Sequence, residues 1–318
     1  MNEHKSILVG RSAWRAWVQA ARPFSWTASM VPVFLGAALV LRAGGAARWG
    51  LFPLVVLASL LIHAATNLVS EYFDYRKGVD RAETFGSSRV LVDGLLTPRQ
   101  VLLGGLAAFA LTAAIGLVFI AIYGWPILLL GAIGMAGGFL YTATPLAFKY
   151  LGLGDVGVFL LMGPLMVVGS FFVLTGRWST EAILISLPIG CLVAAILSAN
   201  NLRDIAHDAV AFVKTTAGVL GHRWARLEYS ALVASAYVLI LILMALHFLP
   251  WWSLLTFLTI KPAIHIIRMA LRSRPEAPDE IATLDIQTAQ VHLTFGVLLI
   301  VSVAMESGNI LDRINRIF

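Results

Sequence analysis

Nine stretches of mostly apolar residues, separated by polar breaks, run along the chain at about 24–41, 50–69, 101–122, 125–147, 156–175, 182–199, 229–249, 251–267 and 289–305. Each has roughly the length a helix needs to cross a hydrocarbon core of about 30 Å. The pattern predicts an all-α fold, a polytopic membrane bundle of nine transmembrane helices. Two breaks are long, about 70–100 and 200–226, and long polar loops confined to one face are where function usually sits. The breaks at Tyr123-Gly124-Trp125 and around Pro250-Trp251-Trp252 carry the aromatic residues favoured at membrane interfaces. The acidic run 276–285, with Pro275 and Pro278, reads as a connecting loop before the last span. Residues 1–22 lack a continuous apolar core and a small-residue cleavage site, so they read as a cytoplasmic amphipathic lead-in. Residues 23–318 then form a single transmembrane domain.

Composition excludes a soluble domain: of 318 residues, 59% are hydrophobic and 13% charged, and mean hydropathy is +0.86. The basic residues orient the bundle. With the N-terminus cytoplasmic, 17 Lys and Arg fall on inside segments, among them Lys5, Arg11, Arg15 and Arg22. Only Arg42, Arg48, Arg177, Arg313 and Arg316 fall outside, and Lys261 lies within a span. That asymmetry predicts N-in and C-out. The net charge of +6 is spread over membrane loops, so anionic lipid headgroups and an anionic substrate account for it better than nucleic acid does. Cys191, the single cysteine, can form neither an internal disulfide nor a cysteine pair for a metal.

Two acidic clusters at helix ends carry the candidate chemistry. At about 100° per residue, Asn67, Glu71 and Asp74 fall within roughly 60° of one another on a helix, and Asn200, Asp204 and Asp208 within roughly 80°. The clusters lie 130 to 134 residues apart, each after an even-numbered span, which suggests a weak internal duplication. Carboxylates are costly near lipid, and several at matched depths are a functional signal. Glu71, Asp74, Asp204 and Asp208 offer the hard oxygen donors that Mg2+ prefers, whereas no His/Cys pairing suggests zinc or iron. Lys77, Arg89, Arg203 and Lys214 beside them suit a diphosphate.

The stretch Ser70-Glu71-Tyr72-Phe73-Asp74-Tyr75-Arg76-Lys77-Gly78-Val79-Asp80 resembles the first aspartate-rich motif of the UbiA superfamily of intramembrane prenyltransferases. Asn200-Asn201-Leu202-Arg203-Asp204-Ile205-Ala206-His207-Asp208, continued by Lys214-Thr215-Thr216-Ala217 and Gly221, resembles the second. Arg22-Pro23, Tyr141-Thr142 with Pro145, Lys149-Tyr150 and Leu153-Gly154-Asp155 extend the likeness, which covers roughly 20–300. The Asn-Asn-x-Arg-Asp form is most similar to the branch that prenylates 1,4-dihydroxy-2-naphthoate in menaquinone synthesis.

The resemblance implies Mg2+ held by Asp74, Asp204 and Asp208 with Glu71 and Asp80, bridging a polyprenyl diphosphate. It implies that Asn67 or Asn200 hydrogen-bonds that headgroup, and that Arg22 and Lys149 bind diphosphate or an acceptor carboxylate. Tyr141 is expected to face the allylic cation or orient the aromatic acceptor. The prenyl tail would leave sideways into membrane lipid. The absence of a transit-peptide pattern and the compact loops fit an expected bacterial inner membrane, with the active site on the cytoplasmic side. One departure stands out: Ser70-Glu71 occupies the place of an Asn-led pair, and Asn67, one turn upstream, is expected to compensate.

Three other readings compete. A cation-coupled secondary transporter generally places its acids near the bilayer midplane, whereas spans 2 and 6 carry none at mid-span. A catalytically silent scaffold, or a prenyltransferase for another phenol such as 4-hydroxybenzoate, fits the same motifs. Asp80, Asp93 and Asp155 read about equally well as solvated-loop acids. Lys261, His63, His247, His265 and His292 are expected to snorkel or make satisfied polar contacts.

Overall fold

A computed structural model of the chain describes residues 13–44, 46–81 and 88–306; Lys5, Arg11, Arg313 and Arg316 lie outside them. An amphipathic helix α1 (Ala13–Ala21) leads through a 3-10 turn, Pro23–Trp26, into α2 (Thr27–Ala43). Then come α3 (Phe52–Arg76), α4 (Pro98–Tyr123), α5 (Trp125–Leu140) and α6 (Gly154–Leu160). A π turn, Leu161–Leu165, joins α6 to α7 (Met166–Thr175). The long α8 (Thr180–Val210), the short α9 (Thr216–Leu220) and α10 (His222–Ala245) follow. A 3-10 segment, Trp251–Thr259, continues as α11 (Ile260–Arg272), and α12 (Leu284–Met305) ends the described chain. Among the described residues the only extended pairing is an isolated parallel bridge between Leu151 and Lys214.

Eight of the described helical stretches are long and apolar enough to cross a membrane. The fourth sequence-predicted span, 125–147, is represented by α5, whose 16 residues stop at Leu140. At 1.5 Å per residue α5 is about 24 Å long. Local signals explain the ends. Thr97 and Gln100 form a reciprocal capping box at the start of α4, with Pro98 in its first turn. Ser179 caps α8 by accepting from the Ala182 N–H. Pro164, which has no N–H to donate, sits in the π turn.

Two helices outrun their apolar runs. α3 continues past 69 to Arg76 and α8 past 199 to Val210, so both acidic motifs lie in helical turns and not in the loops that follow. Partners from other elements accompany the extra turns: Arg22 and Lys149 meet Glu71 and Asp74 on α3, and on α8 Arg203 meets Asp285 while Asp208 accepts from Thr215. The run 276–285 is likewise not all loop: Asp285 is in the first turn of α12.

The central helix is α8, 72% of whose apolar window is buried, against 22% for the peripheral α4. α8 packs on α10, α12 and α6, while α2 lies between α12 and α7. Small residues let the backbones close up. A Cβ on Gly163 would stand 2.7 Å from Gly190 Cα, and one on Gly36 2.7 Å from Val167 O. At the end of the bundle remote from the acidic motifs, Arg42 pairs with Glu181 (3.0 Å) and Glu306 (2.8 Å) and donates to Phe248 O (2.7 Å). One guanidinium thereby ties α2, α8, α12 and the link after α10.

Gly163→Val is expected to destabilise the protein by about 1–3 kcal/mol, because backbone cannot give way to the added methyls. Gly131→Val, at a position with nothing within 4 Å of its Cβ, is expected to stay within about 0.5 kcal/mol. Unfolding midpoints in detergent compare the two.

Candidate active site

Polar residues of α3 recur at His63, Asn67, Ser70 and Asp74, a helical stripe, and all four line one cavity of about 340 Å³. From α8 the cavity takes Asn200, Asn201, Asp204, His207 and Asp208. Arg22, Asp80, Tyr141, Lys149 and Asp285 complete its polar end. Deeper in, Ile62, Leu161, Met162, Leu165, Ile196 and Leu197 make an apolar wall. Both acidic motifs thus reach one cavity.

Asp74 is buried; its Oδ2 accepts from Lys149 Nζ at 3.0 Å and from Ser70 Oγ at 3.2 Å. Its Oδ1 is buried with no hydrogen-bond partner among the described residues. Just beyond, Gly78 takes φ +70°, a conformation L side chains rarely adopt, and folds the chain back on the helix end. The Val79 and Asp80 N–H groups then bond to Asp74 O (2.9 and 3.4 Å). That turn returns Asp80 to the cavity, where its Oδ2 is likewise buried without a partner. Burial and the neighbouring Asp74 charge push the Asp80 carboxyl up to about 7. Burial alone would lower the Lys149 ammonium, but the charge and hydrogen bond of Asp74 together with its other neighbours hold it above its ordinary value. Burial raises the Tyr141 phenol, so it remains neutral. The Tyr141 ring packs edge-on against Phe148, and Lys149 Nζ lies 5.8 Å from its centroid.

Glu71, the departure in the first motif, is fully buried and pairs with Arg22 at 2.5 Å; it does not line the cavity. The Ser88 N–H donates to the same Oε2 at 3.1 Å. Arg22 holds a left-handed backbone (φ 52°) just before Pro23, an uncommon conformation for a non-glycine residue. Asn67 donates to Ala21 O (3.2 Å) and Ser25 Oγ (3.3 Å), which binds it to the α1–α2 corner.

In the second motif Arg203 organises from behind the wall. It is buried, pairs with Asp204 (2.8 Å) and Asp285 (3.1 Å), and donates to Asn200 Oδ1 (2.9 Å). Asp208 accepts from Thr215 Oγ1 at 3.0 Å, and that Thr215 oxygen also caps α9. The remaining sequence-predicted cations stand apart from the cavity lining. Lys77 reaches Thr142 O (3.4 Å) and the Tyr150 ring (4.1 Å to its centroid). Arg89 pairs with Asp93 at 3.1 Å, and the exposed Lys214 bridges to Leu151 through its backbone.

One cavity group was not singled out from the sequence, and another, His63, was expected only to make polar contacts. Asp285 sits in an acidic run that looked like linker. His63 is buried between Ser29 Oγ at Nδ1 and Ser25 Oγ at Nε2 (3.1 Å). Its spacing of four from Asn67 was the available signal. Asn201 donates to the buried Asp155 at 3.2 Å, behind the second motif.

The lining holds five carboxylates, Asp74, Asp80, Asp204, Asp208 and Asp285, against the cations Arg22 and Lys149. Among the described residues no three Asp, Glu, His or Cys side chains are already gathered around one point as an ion's ligands would be. The all-oxygen donor set, its formal negative excess and the unpartnered oxygens of Asp74 and Asp80 nevertheless fit a hard divalent cation. Such an ion would also offset most of that negative excess.

Comparison with known proteins agrees. Residues 29–289 match the UbiA prenyltransferase family. The chain is 34% identical to 1,4-dihydroxy-2-naphthoate octaprenyltransferase of Bacillus subtilis, over 88% of this chain and 89% of that one. It is 31% identical to UbiA prenyltransferase domain-containing protein 1 of Gallus gallus, over 94% and 87% respectively. A UbiA homolog from Archaeoglobus fulgidus, solved with GPP and Mg2+ bound, superposes with a TM-score of 0.61 at 17% identity, covering 90% of this chain and 99% of that one.

Removing one partner of a buried ion pair leaves an uncompensated charge, so Arg22→Met alone is expected to cost about 3 kcal/mol. Adding Glu71→Gln, which removes the stranded charge and keeps an acceptor for Ser88, should restore at least half of that loss. A double-mutant cycle on thermal unfolding in detergent measures both.

Proposed function

The chain belongs to the UbiA prenyltransferase family, and on that premise we propose that it moves a polyprenyl group from a polyprenyl diphosphate to an aromatic acceptor, 1,4-dihydroxy-2-naphthoate. One observation carries the reading: carboxylates from α3 and α8 share the polar end of a cavity whose remainder is apolar. That division suits an amphiphile with a polyanionic head and a hydrocarbon tail. The acceptor is suggested by the named activity of the Bacillus subtilis relative. The Bacillus relative and the positive-inside asymmetry favour a bacterial inner membrane with the site on its cytoplasmic side.

Asp74, Asp80, Asp204 and Asp208 are the residues assigned to hold Mg2+, with Glu71 supporting them through Arg22. When bound, Mg2+ would neutralise charge developing on a leaving diphosphate. Lys149 and Arg22 add fixed positive charge at the same end, for the diphosphate or for an acceptor carboxylate. Asn67 and Asn200 supply amide groups beside the carboxylates. Arg203 acts through Asp204, Asp285 and Asn200, holding their rotamers for the headgroup. As the carbon–oxygen bond to diphosphate breaks, the neutral Tyr141 ring offers its π face to the allylic cation. A ring carbon of the acceptor then bonds to that cation and sheds the group it carried, a proton passed to the released diphosphate or its carboxyl group as CO2, while the apolar wall keeps competing water away.

Transfer of a labelled polyprenyl group by purified protein, offered 1,4-dihydroxy-2-naphthoate or 4-hydroxybenzoate, tests the assignment. Asp74→Asn and Asp204→Asn are each expected to lower the rate by at least about 100-fold. Undiminished turnover in either variant overturns the site, and preference for 4-hydroxybenzoate overturns the acceptor. EDTA is expected to reduce transfer to background and added Mg2+ to restore it; activity that survives chelation rejects the metal assignment.

A further inference from the structure

The outward side of the bundle carries a charged feature that the cavity chemistry does not use. Lys261, His265, Arg268 and Arg272 follow one another at i, i+4, i+7 and i+11 along α11. At 100° per residue they fall within about 60° of each other. The buried residues of the same helix, Ala263, Ile266 and Ala270, lie on the opposite side, and α11 packs on α10 and α12. The four basic side chains are therefore turned away from the bundle, and all are exposed. None has a hydrogen bond or ion pair with a described residue. The chain has no Asp or Glu between Glu228 and Glu276 to balance them.

Depth makes the stripe unusual. It belongs to the 22-residue span Trp251–Arg272, and Lys261 lies midway along it. From Lys261 to Arg272 the stripe extends about 16 Å at 1.5 Å per residue. A cation at the depth of Lys261 facing hydrocarbon is costly, and the stripe leads from it to Arg268 and Arg272 at the end of the span. Exposed apolar residues adjoin the stripe: Ile264 (39%), Leu271 (38%) and, one turn before Lys261, Leu258 (71%).

We propose that the outward face of α11 is a binding site for an anionic phospholipid. The phosphate sits on Arg268 and Arg272, His265 and Lys261 draw the headgroup below the ordinary interface, and the acyl chains lie along Leu258 and Ile264. Charge and apolarity on one face match the two parts of such a lipid. A second copy of the chain on the same face would set cations against cations across a two-fold axis, which disfavours self-association there.

Native mass spectrometry of delipidated protein in uncharged detergent, titrated with dioleoylphosphatidylglycerol, dioleoylphosphatidylcholine or inorganic phosphate, tests the site. The wild-type chain is expected to hold phosphatidylglycerol at least about tenfold more tightly than phosphatidylcholine, and free phosphate more weakly than either lipid. Arg268→Gln with Arg272→Gln should weaken phosphatidylglycerol about 25-fold, near fivefold per cation, while Arg99→Gln leaves it unchanged. Equal retention of the two lipids by the wild type, or unchanged retention by the double variant, overturns the proposal. So does a dimer that the double variant dissociates, or phosphate binding as tightly as the lipid. Arg268→Gln and Arg272→Gln made singly, each expected to weaken phosphatidylglycerol about fivefold, keep the test intact should the double variant fail to fold, and unchanged retention by both overturns the proposal.

Discussion

Charge buried in a low-dielectric interior must meet opposite charge, and in this protein that requirement ties together elements distant in sequence around the cavity. Arg22 comes from the turn before α2 to Glu71 on α3, and Lys149 comes from the connection after α5 to Asp74. Arg203 of α8 joins Asp285 of α12. Each pair is far apart in sequence and each has at least one fully or nearly fully buried partner. Isolated, any of these ions would favour neutralisation or local unfolding. Paired, they let helices α3 and α8 carry acidic turns where an apolar bundle would otherwise fray.

The pairs do not consume the cavity's charge. Carboxylates outnumber cations on its lining, and buried oxygens of Asp74 and Asp80 lack partners among the described residues. A site prepared in this way is under-neutralised, and the deficit is what divalent cations can supply. Glu71 shows how the departure in the first motif is absorbed. Its longer arm reaches Arg22 and the Ser88 N–H, so that carboxylate braces the wall while Asp74 and Asp80 face the space within.

Much of this was legible in the chain. Apolar runs gave the helices because burying or lipid-solvating a helix demands them over its whole length. The spacing of Asn67, Glu71 and Asp74, and of Asn200, Asp204 and Asp208, placed them on common faces because the helical period is fixed. Helix ends were harder: α3 and α8 extend through polar residues whose distant partners, Lys149 for Asp74 and Asp285 for Arg203, no local pattern announces. The length of α5 was overestimated because its apolar composition continues into the turn that begins at Tyr141. Asp285 was missed, and His63 was expected only to make a polar contact, for a related reason. Their settings depend on which other helices come near, and that information is not in their own neighbourhoods.

The glycine contacts have a consequence for the shape of the cavity. Gly163 against Gly190 leaves no slack between the π turn and α8, and Gly36 against Ser170 leaves none between α2 and α7. These walls cannot move inward, and moving them apart would forfeit the seams that seal the bundle. The gauge of the apolar bore is consequently adjustable only through the side chains projecting into it, such as Leu161 and Met162. Trimming or lengthening those few groups would resize the channel for hydrocarbon of another girth while the scaffold around it stayed the same.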